Sequence, residues 1–517
     1  MMKRLASLVM WSGALLMPLA WGHPAPAIPT AVHGRQVSTH HSVVVAGHRD
    51  RYTATAGTLI LHNAKGKPTA RMFYIAYTLD GVRDESRRPI TFAYNGGPGF
   101  ASALVDFGGF GPRRIIWPHP GPGAARSMAP PYRIVPNADT ILPATDLVFI
   151  DAVGTGYSRI IGVGKPKDFY GVNADARTFT RFIQQYLTRT GRWNSPKFLL
   201  GESYGTTRSA VLGQSLVSDG IYLNGIILCS TVLDFPTINF APGNDLPYVL
   251  YLPSYAAVAW YHHRIHPRPA DLATFVRQAE RFAAGPYSRA LFAGARLPAA
   301  ARQRVAVSLS HLTGIPAAFW LKADLRIPLP VFMRRVMGSQ QAMTGRYDAR
   351  YTIPELQPLL PVGGRSDVGA TTANIWGALS ATFENYVTRH LGFRTHEIYK
   401  QDSGRVFMDW NWKYSPPLRE LDEDVGTMGY LNVAPALARA MTNDPALQVM
   451  ANNGYFDLAT PFFATHYTLM HMGLPTADLS HLHFEYYPTG HMLYLNPQAL
   501  PEIAARMEHF IAMADAQ

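Results

Sequence analysis

Phe198-Leu-Leu-Gly-Glu-Ser-Tyr-Gly205 reads as a strand that runs through a tight turn into a helix. Phe198–Leu200 is the apolar strand end, and Thr206–Val217 is the helical stretch. Between them Gly201-Glu-Ser-Tyr-Gly205 fits G-x-S-x-G, the turn that lifts a serine hydroxyl above the end of a sheet. The two glycines allow the turn to pass close to neighbouring backbone. Elsewhere the pattern is an ordinary serine turn, but in this setting Ser203 is the candidate nucleophile.

Further strands of the same texture lie on both sides. Pro89–Tyr94, Asp146–Ile150, Leu223–Leu228 and Leu447–Met450 are short, nearly continuous apolar runs, as strands buried on both faces of a parallel sheet are. Helical stretches such as Ala174–Thr190 separate several of them, so the expected class is α/β with a mostly parallel sheet. Ser42–Ala46, Thr55–Leu61 and Arg71–Tyr77, joined by turn residues, predict an antiparallel meander before it. Between about Asp234 and Thr427 the strand rhythm stops, and Leu272–Phe282, Ala299–Leu312 and Ala370–Leu391 predict helices. The expected organisation is a core over 23–233 and 428–517, with a mainly helical cap inserted over 234–427. The last part of the core should hold a helix over Pro461–Met472, a strand over His481–Tyr487 and a helix over Pro501–Ala514.

A serine needs a base to act as a nucleophile. In the G-x-S-x-G arrangement the acid and then the histidine follow, each on a loop after a later strand. Asp457 is the one acid in Ala451-Asn-Asn-Gly-Tyr-Phe-Asp457, after the strand Leu447–Met450. Capping of the helix near Pro461 is its alternative role. His491 stands in Pro488-Thr-Gly-His491, after the strand His481–Tyr487. Its competitors His466 and His471 fall in a helix, and His481 and His483 in the strand itself. Tyr94-Asn-Gly-Gly-Pro-Gly99 follows another strand end. Its bare backbone is a source of oxyanion-hole N–H groups, with a tight structural turn as the alternative. No G-x-x-x-x-G-K-[S/T] phosphate loop is present. Asp151-Ala-Val-Gly-Thr-Gly-Tyr-Ser158 lacks the third glycine of a dinucleotide fingerprint.

Asn95-Gly-Gly-Pro-Gly99, Asp151–Ser158, Gly201–Gly205, Asp457 and Gly490-His491 together resemble the serine carboxypeptidase-like family of the α/β-hydrolase superfamily, in that family's order. Gly243–Leu250 and Leu252-Pro-Ser-Tyr255 look like a bacterial branch of it. The resemblance implies an α/β-hydrolase core with a helical cap, and removal of residues from peptide C-termini with no cofactor or metal. It implies Ser203 as nucleophile, His491 as base and Asp457 as its orienter. The N–H groups of Gly97 and Tyr204 would form the oxyanion hole. Asn95, the Gly96 backbone and a protonated Glu202 would hold the substrate's terminal carboxylate. Two departures stand out. Phe100 replaces a disulfide cysteine of many relatives, and Gly109 stands where a second glutamate usually pairs with Glu202. The second departure keeps an alternative open: an esterase or acyltransferase on the same triad.

The remaining features set the surroundings. Lys3 and Arg4 precede the apolar run Leu5–Ala20, so residues 1–22 read as a signal peptide, cleaved after Gly22, with Ala25 and Ala27 as alternatives. The chain is then exported, to the periplasm or beyond, and no membrane span is expected in the mature protein. Its 517 residues are 47% hydrophobic and 16% charged, which excludes a disordered chain. The net charge of +12 is scattered without a basic run, which argues against nucleic acid as a partner. A single cysteine, Cys229, in an apolar run excludes an internal disulfide and a cysteine-based metal site. Peptide or protein C-termini are the expected partners.

Overall fold

A computed structural model describes residues 34–117, 130–340, 342–354, 375–415 and 430–516. The signal peptide and its cleavage sites lie outside these residues. The main sheet has ten strands: β1 Gln36–Val45, β2 His48–His62, β3 Pro68–Leu79, β4 Ile90–Tyr94, β5 Asp146–Ile150, β6 Arg159–Ile160, β7 Lys197–Glu202, β8 Gly225–Cys229, β9 Gln448–Gly454 and β10 Leu482–Tyr487. Their spatial order is β1-β2-β3-β5-β4-β7-β8-β9-β10, and the short β6 pairs with β3. The first three strands form the antiparallel meander, and β3 meets β5 antiparallel. From β5 to β10 every pairing is parallel.

The parallel strands are apolar throughout because both of their faces are covered. Phe92, Leu199, Ile226, Leu228 and Val449 point to one side, into a core shared with Phe179, Ile183, Leu212, Leu216 and Leu437. Those partners lie on α1 (Val172–Thr190), α2 (Tyr204–Ser218) and α7 (Ala434–Asn443). Ala93, Phe198, Leu200, Ile227 and Met450 point to the other, against Leu500, Ile503, Met507 and Phe510 of the final helix Leu500–Asp515. A third apolar cluster joins the helices between β8 and β9. There α3 (Leu246–Tyr261), α4 (Leu272–Phe282) and α5 (Ala299–Thr313) pack together, and Phe456, Leu458 and Phe462 reach up to them from the loop after β9. In the same insertion α6 spans Trp376–Asn385. The mostly parallel sheet with helices on both faces is the one the sequence predicts, and the meander extends it as antiparallel strands.

Element ends differ from the sequence reading where local chemistry extends a strand. β7 continues to Glu202 and so delivers the chain straight into the turn. β9 reaches Gly454, four residues past Met450, because Ala451–Gly454 pair with Phe484–Tyr487 of β10. The helix expected over Ala370–Leu391 is described only from Ile375 onward; α6 ends at Asn385 and gives way to a wider turn over Tyr386–His390.

Candidate active site

The parallel strands finish almost level: Tyr94 pairs with Gly201, Glu202 with Cys229, and Gly454 with Tyr487. Every candidate residue from the sequence lies at or just past one of these carboxyl ends, the usual position for a site on an open α/β sheet. Ser203 joins β7 to α2 with φ +59° and ψ −127°. A non-glycine residue there costs ~1–3 kcal/mol and persists only where its surroundings enforce it. The enforcement is visible on both sides. The Ser203 N–H donates to the Cys229 carbonyl at 2.9 Å. A Cβ on Gly201 would lie 2.4 Å from the Gly205 carbonyl oxygen, and one on Gly205 3.0 Å from that of Tyr94. Both glycines of the motif are thus required by close approach. Cys229 itself is buried and free.

Asp457 and His491 meet across the ends of β9 and β10. His491 Nδ1 lies 2.8 Å from Asp457 Oδ2, with both side chains buried. Asp457 Oδ1 accepts the N–H groups of Ala459 and Thr460 at 2.7 and 3.0 Å, and the Thr460 hydroxyl donates to Oδ2 at 2.7 Å. The carboxylate therefore holds its own turn with one oxygen and faces the imidazole with the other. It does not cap the following helix, α8 (Phe462–Met470), whose N-cap is Pro461. The Tyr347 ring stacks on His491 at 5.0 Å. Burial lowers the affinity of His491 for a proton. The charge and hydrogen bond of Asp457, together with the charge of Glu202, outweigh that, and its pKa lies above the usual histidine value. Three of the competing histidines are engaged elsewhere: His466 with the Tyr486 hydroxyl, His471 with the Tyr467 carbonyl, His483 with Gln448.

The Asn95–Gly99 loop packs backbone to backbone on the serine turn. A Cβ on Gly96 would sit 2.5 Å from both the Tyr204 and Gly205 nitrogens, and Gly97 has φ +108°. Asn95 is fixed at four points. Its N–H meets the Ser102 hydroxyl at 3.3 Å, its Oδ1 accepts from Val105 N–H at 2.9 Å, its carbonyl accepts from Arg208 at 2.7 Å, and its Nδ2 donates to Glu202 Oε1 at 3.0 Å. Glu202 is 3% exposed. Burial above all raises its pKa, to about 7, against the pull of the His491 charge and of hydrogen bonds from Tyr494 and Asn95; Asp457 adds to the rise. Its second oxygen, Oε2, accepts from the Tyr494 hydroxyl.

Asn95, Gly96, Gly97, Glu202, Ser203 and His491 all line one pocket. Its remaining wall is apolar: Phe100 stacked on Trp376, then Leu104, Ile375, Tyr347 and Met492. Among the described residues, no group of three or more His, Cys, Asp or Glu could hold a metal.

Four residues of this site escaped the sequence reading. Thr460 and Tyr494 each lie three positions past a recognised residue, and Tyr347 comes from the cap insertion. Arg208 is one helical turn past Tyr204. Arg208 is 1% exposed, pairs with Asp175 at 2.6 Å and stacks on the rings of Phe179 and Tyr94. It ties α1 and α2 to the Asn95 carbonyl. Arg208→Met should lower stability by ~3–5 kcal/mol, since it strands the Asp175 carboxylate in the core. Urea unfolding checks this, and a loss under 1 kcal/mol would mean that the pair bears little of the load.

Comparison with known proteins points the same way. Residues 53–234 match the serine carboxypeptidase family model. Over this stretch the chain resembles a serine carboxypeptidase domain, and its fold is that of the α/β-hydrolases. No curated protein matches the chain. Among solved structures, a prohormone-processing carboxypeptidase from Saccharomyces cerevisiae superposes with a TM-score of 0.53 at 14% identity, covering 88% of this chain and 92% of that one. A proline iminopeptidase from Mycobacterium smegmatis gives 0.35 at 14% identity, over 92% and 99% of the two chains. A putative aryl esterase from Burkholderia cenocepacia gives 0.34 at 11%, over 89% and 100%. At such identities the first likeness speaks for the fold alone.

Proposed function

We propose that this protein is an exported serine carboxypeptidase that removes the last residue of a peptide through an acyl-enzyme. Ser203 attacks the carbonyl of the final peptide bond, and His491 takes its proton. Asp457 holds the imidazole with Nδ1–H toward itself and stabilises the imidazolium. The N–H groups of Gly97 and Tyr204 receive the developing oxyanion. His491 returns the proton to the leaving amine, and water then releases the acyl group by the same steps. Asn95, the Gly96 backbone and protonated Glu202 hold the terminal carboxylate of the substrate.

One observation carries this reading: a buried glutamate whose pKa is raised to about 7 lies beside the serine, in a pocket whose outer wall is apolar. Such a group accepts an anion only while it keeps its proton. A peptide carboxylate, with a pKa near ~3.5, is charged in mild acid, where Glu202 is still neutral. As pH rises through about 7, Glu202 ionises and repels the substrate. KM for peptides with a free C-terminus should therefore climb from mild acid to neutrality, whereas C-terminally amidated peptides should show little of the trend. Glu202→Gln keeps a donor at every pH and should flatten the climb. Parallel KM–pH curves for the two forms on free-acid peptides would reject the carboxypeptidase assignment. They would favour the esterase or acyltransferase reading, to which Gly109, standing where a second glutamate is usual, also points. The export claim is checked at the mature N-terminus, expected between His23 and Ile28. Among the described residues no helix is long and apolar enough to cross a membrane.

A further inference from the structure

Tyr494 lies in the turn Leu493–Leu495, three residues past His491, and is 1% exposed. Its hydroxyl donates to Glu202 Oε2 while Asn95 Nδ2 donates to Oε1. The carboxyl group is thus gripped from both sides. The ring reaches this place only because two consecutive residues beneath it have no side chain. A Cβ on Gly108 would stand 2.3 Å from Tyr494 Cε2, and one on Gly109 2.4 Å from Tyr494 Cβ. The glycine step cannot slide away to make room. The Gly108 carbonyl accepts from Trp117 Nε1 at 3.2 Å, and that of Gly109 accepts from Asn137 Nδ2 at 2.6 Å. Phe110 closes the far side edge-on at 5.1 Å.

We propose that Tyr494 is the positioning residue of the substrate-carboxylate subsite: its hydroxyl fixes the Glu202 carboxyl against Asn95, and the bare Gly108–Gly109 step admits its ring. This rests on the reading of Glu202 as the group that meets the substrate's C-terminus. Tyr494 does not itself touch the reacting atoms. It acts by holding Glu202 in one orientation and by favouring the ionised form of that carboxyl, because a donor to a carboxylate stabilises its charge. The other ionisable groups around Glu202 are His491 and Asp457 from the loops after β10 and β9, Cys229 at the end of β8, and Tyr347 from the cap insertion. Tyr494 stays a donor throughout. Burial, and then the charge of Glu202, hold its own hydroxyl well above the usual tyrosine value. Removing that hydroxyl leaves Glu202 protonated to higher pH, which has the opposite sign to a general weakening of the site.

The test is Tyr494→Phe, which keeps the ring and deletes the donor, with kcat and KM measured from pH 5 to 8. The substrates are a blocked dipeptide with a free C-terminus and its amide. KM on the free acid should rise ~5–10-fold in mild acid, the worth of one hydrogen bond to a charged or strongly polar partner. The kcat should change by less than ~3-fold. The rising limb of KM should move up by roughly one pH unit, and the amide should show neither effect. Tyr494→Met serves as a second variant, without an aromatic ring, and should move the limb the same way. A Tyr494→Phe curve that overlays the wild type, while Glu202→Gln flattens it, overturns the role of Tyr494 alone. Equal losses on acid and amide would make Tyr494 a packing residue and also overturn it. If neither Tyr494→Phe nor Glu202→Gln moves the curve, the reading of Glu202 falls and this one with it.

Discussion

Ser203→Ala or His491→Ala should each lower kcat by ~10⁵–10⁶, and combining them should add little, because the two act as one unit. Asp457→Asn is the more instructive change. Oδ1 of Asp457 is committed to the N–H groups of Ala459 and Thr460, which only an oxygen can accept. An asparagine must keep its oxygen there and turn its amide N–H toward His491 Nδ1. The imidazole then has to accept at Nδ1 and carry its proton on Nε2, where it cannot serve as a base for Ser203. A loss of ~10⁴ in kcat is expected from the wrong tautomer. Single-turnover rates on an ester substrate read these effects, and any variant retaining more than a tenth of the activity would be removed from the assignment.

Gly96→Ala should also be damaging, without touching a proton-transfer group. The added methyl would lie 2.5 Å from the Tyr204 and Gly205 nitrogens, both backbone atoms that cannot swing aside. The Asn95–Gly99 loop must lift, which separates the Gly97 and Tyr204 N–H groups proposed to share one oxyanion. Loss of one such donor lowers kcat by ~10²–10³. KM should move much less. A folded Gly96→Ala enzyme with wild-type kcat would reduce the loop to a structural turn.

The sheet was readable because burial on both faces leaves a plain mark, runs such as Asp146–Ile150 with no polar interruption. Ser203 was readable because its strained turn demands glycines at fixed offsets. Asp457 and His491 followed from chain order and strand ends. The rest of the site depends on proximity that no local pattern encodes. Arg208 looks like any helical arginine until Asp175 and the Asn95 carbonyl, 33 and 113 positions away, are brought to it. Tyr494 lies 292 residues from Glu202 in sequence. In the sequence Gly109 reads as a missing partner of Glu202; the Tyr494 ring that fills the space above it is visible only in the fold. Thr460 escaped because a threonine after an aspartate is an ordinary turn.

The far end of the Asn95–Gly99 loop is held by a much later part of the chain. Ser403 N–H donates to the Gly99 carbonyl at 2.8 Å, Ala101 N–H to the Gln401 carbonyl at 2.9 Å, and Phe100 bridges to Asp402. These are hydrogen bonds and not a disulfide, so thiol reductants leave them untouched. They also impose an order in time. A chain synthesised only as far as residue 400 has its serine turn but lacks both the partners of Gly99 and Ala101 and His491. The proposed catalytic machinery is therefore incomplete on the ribosome until the segment from Gln401 to His491 has been made and folded.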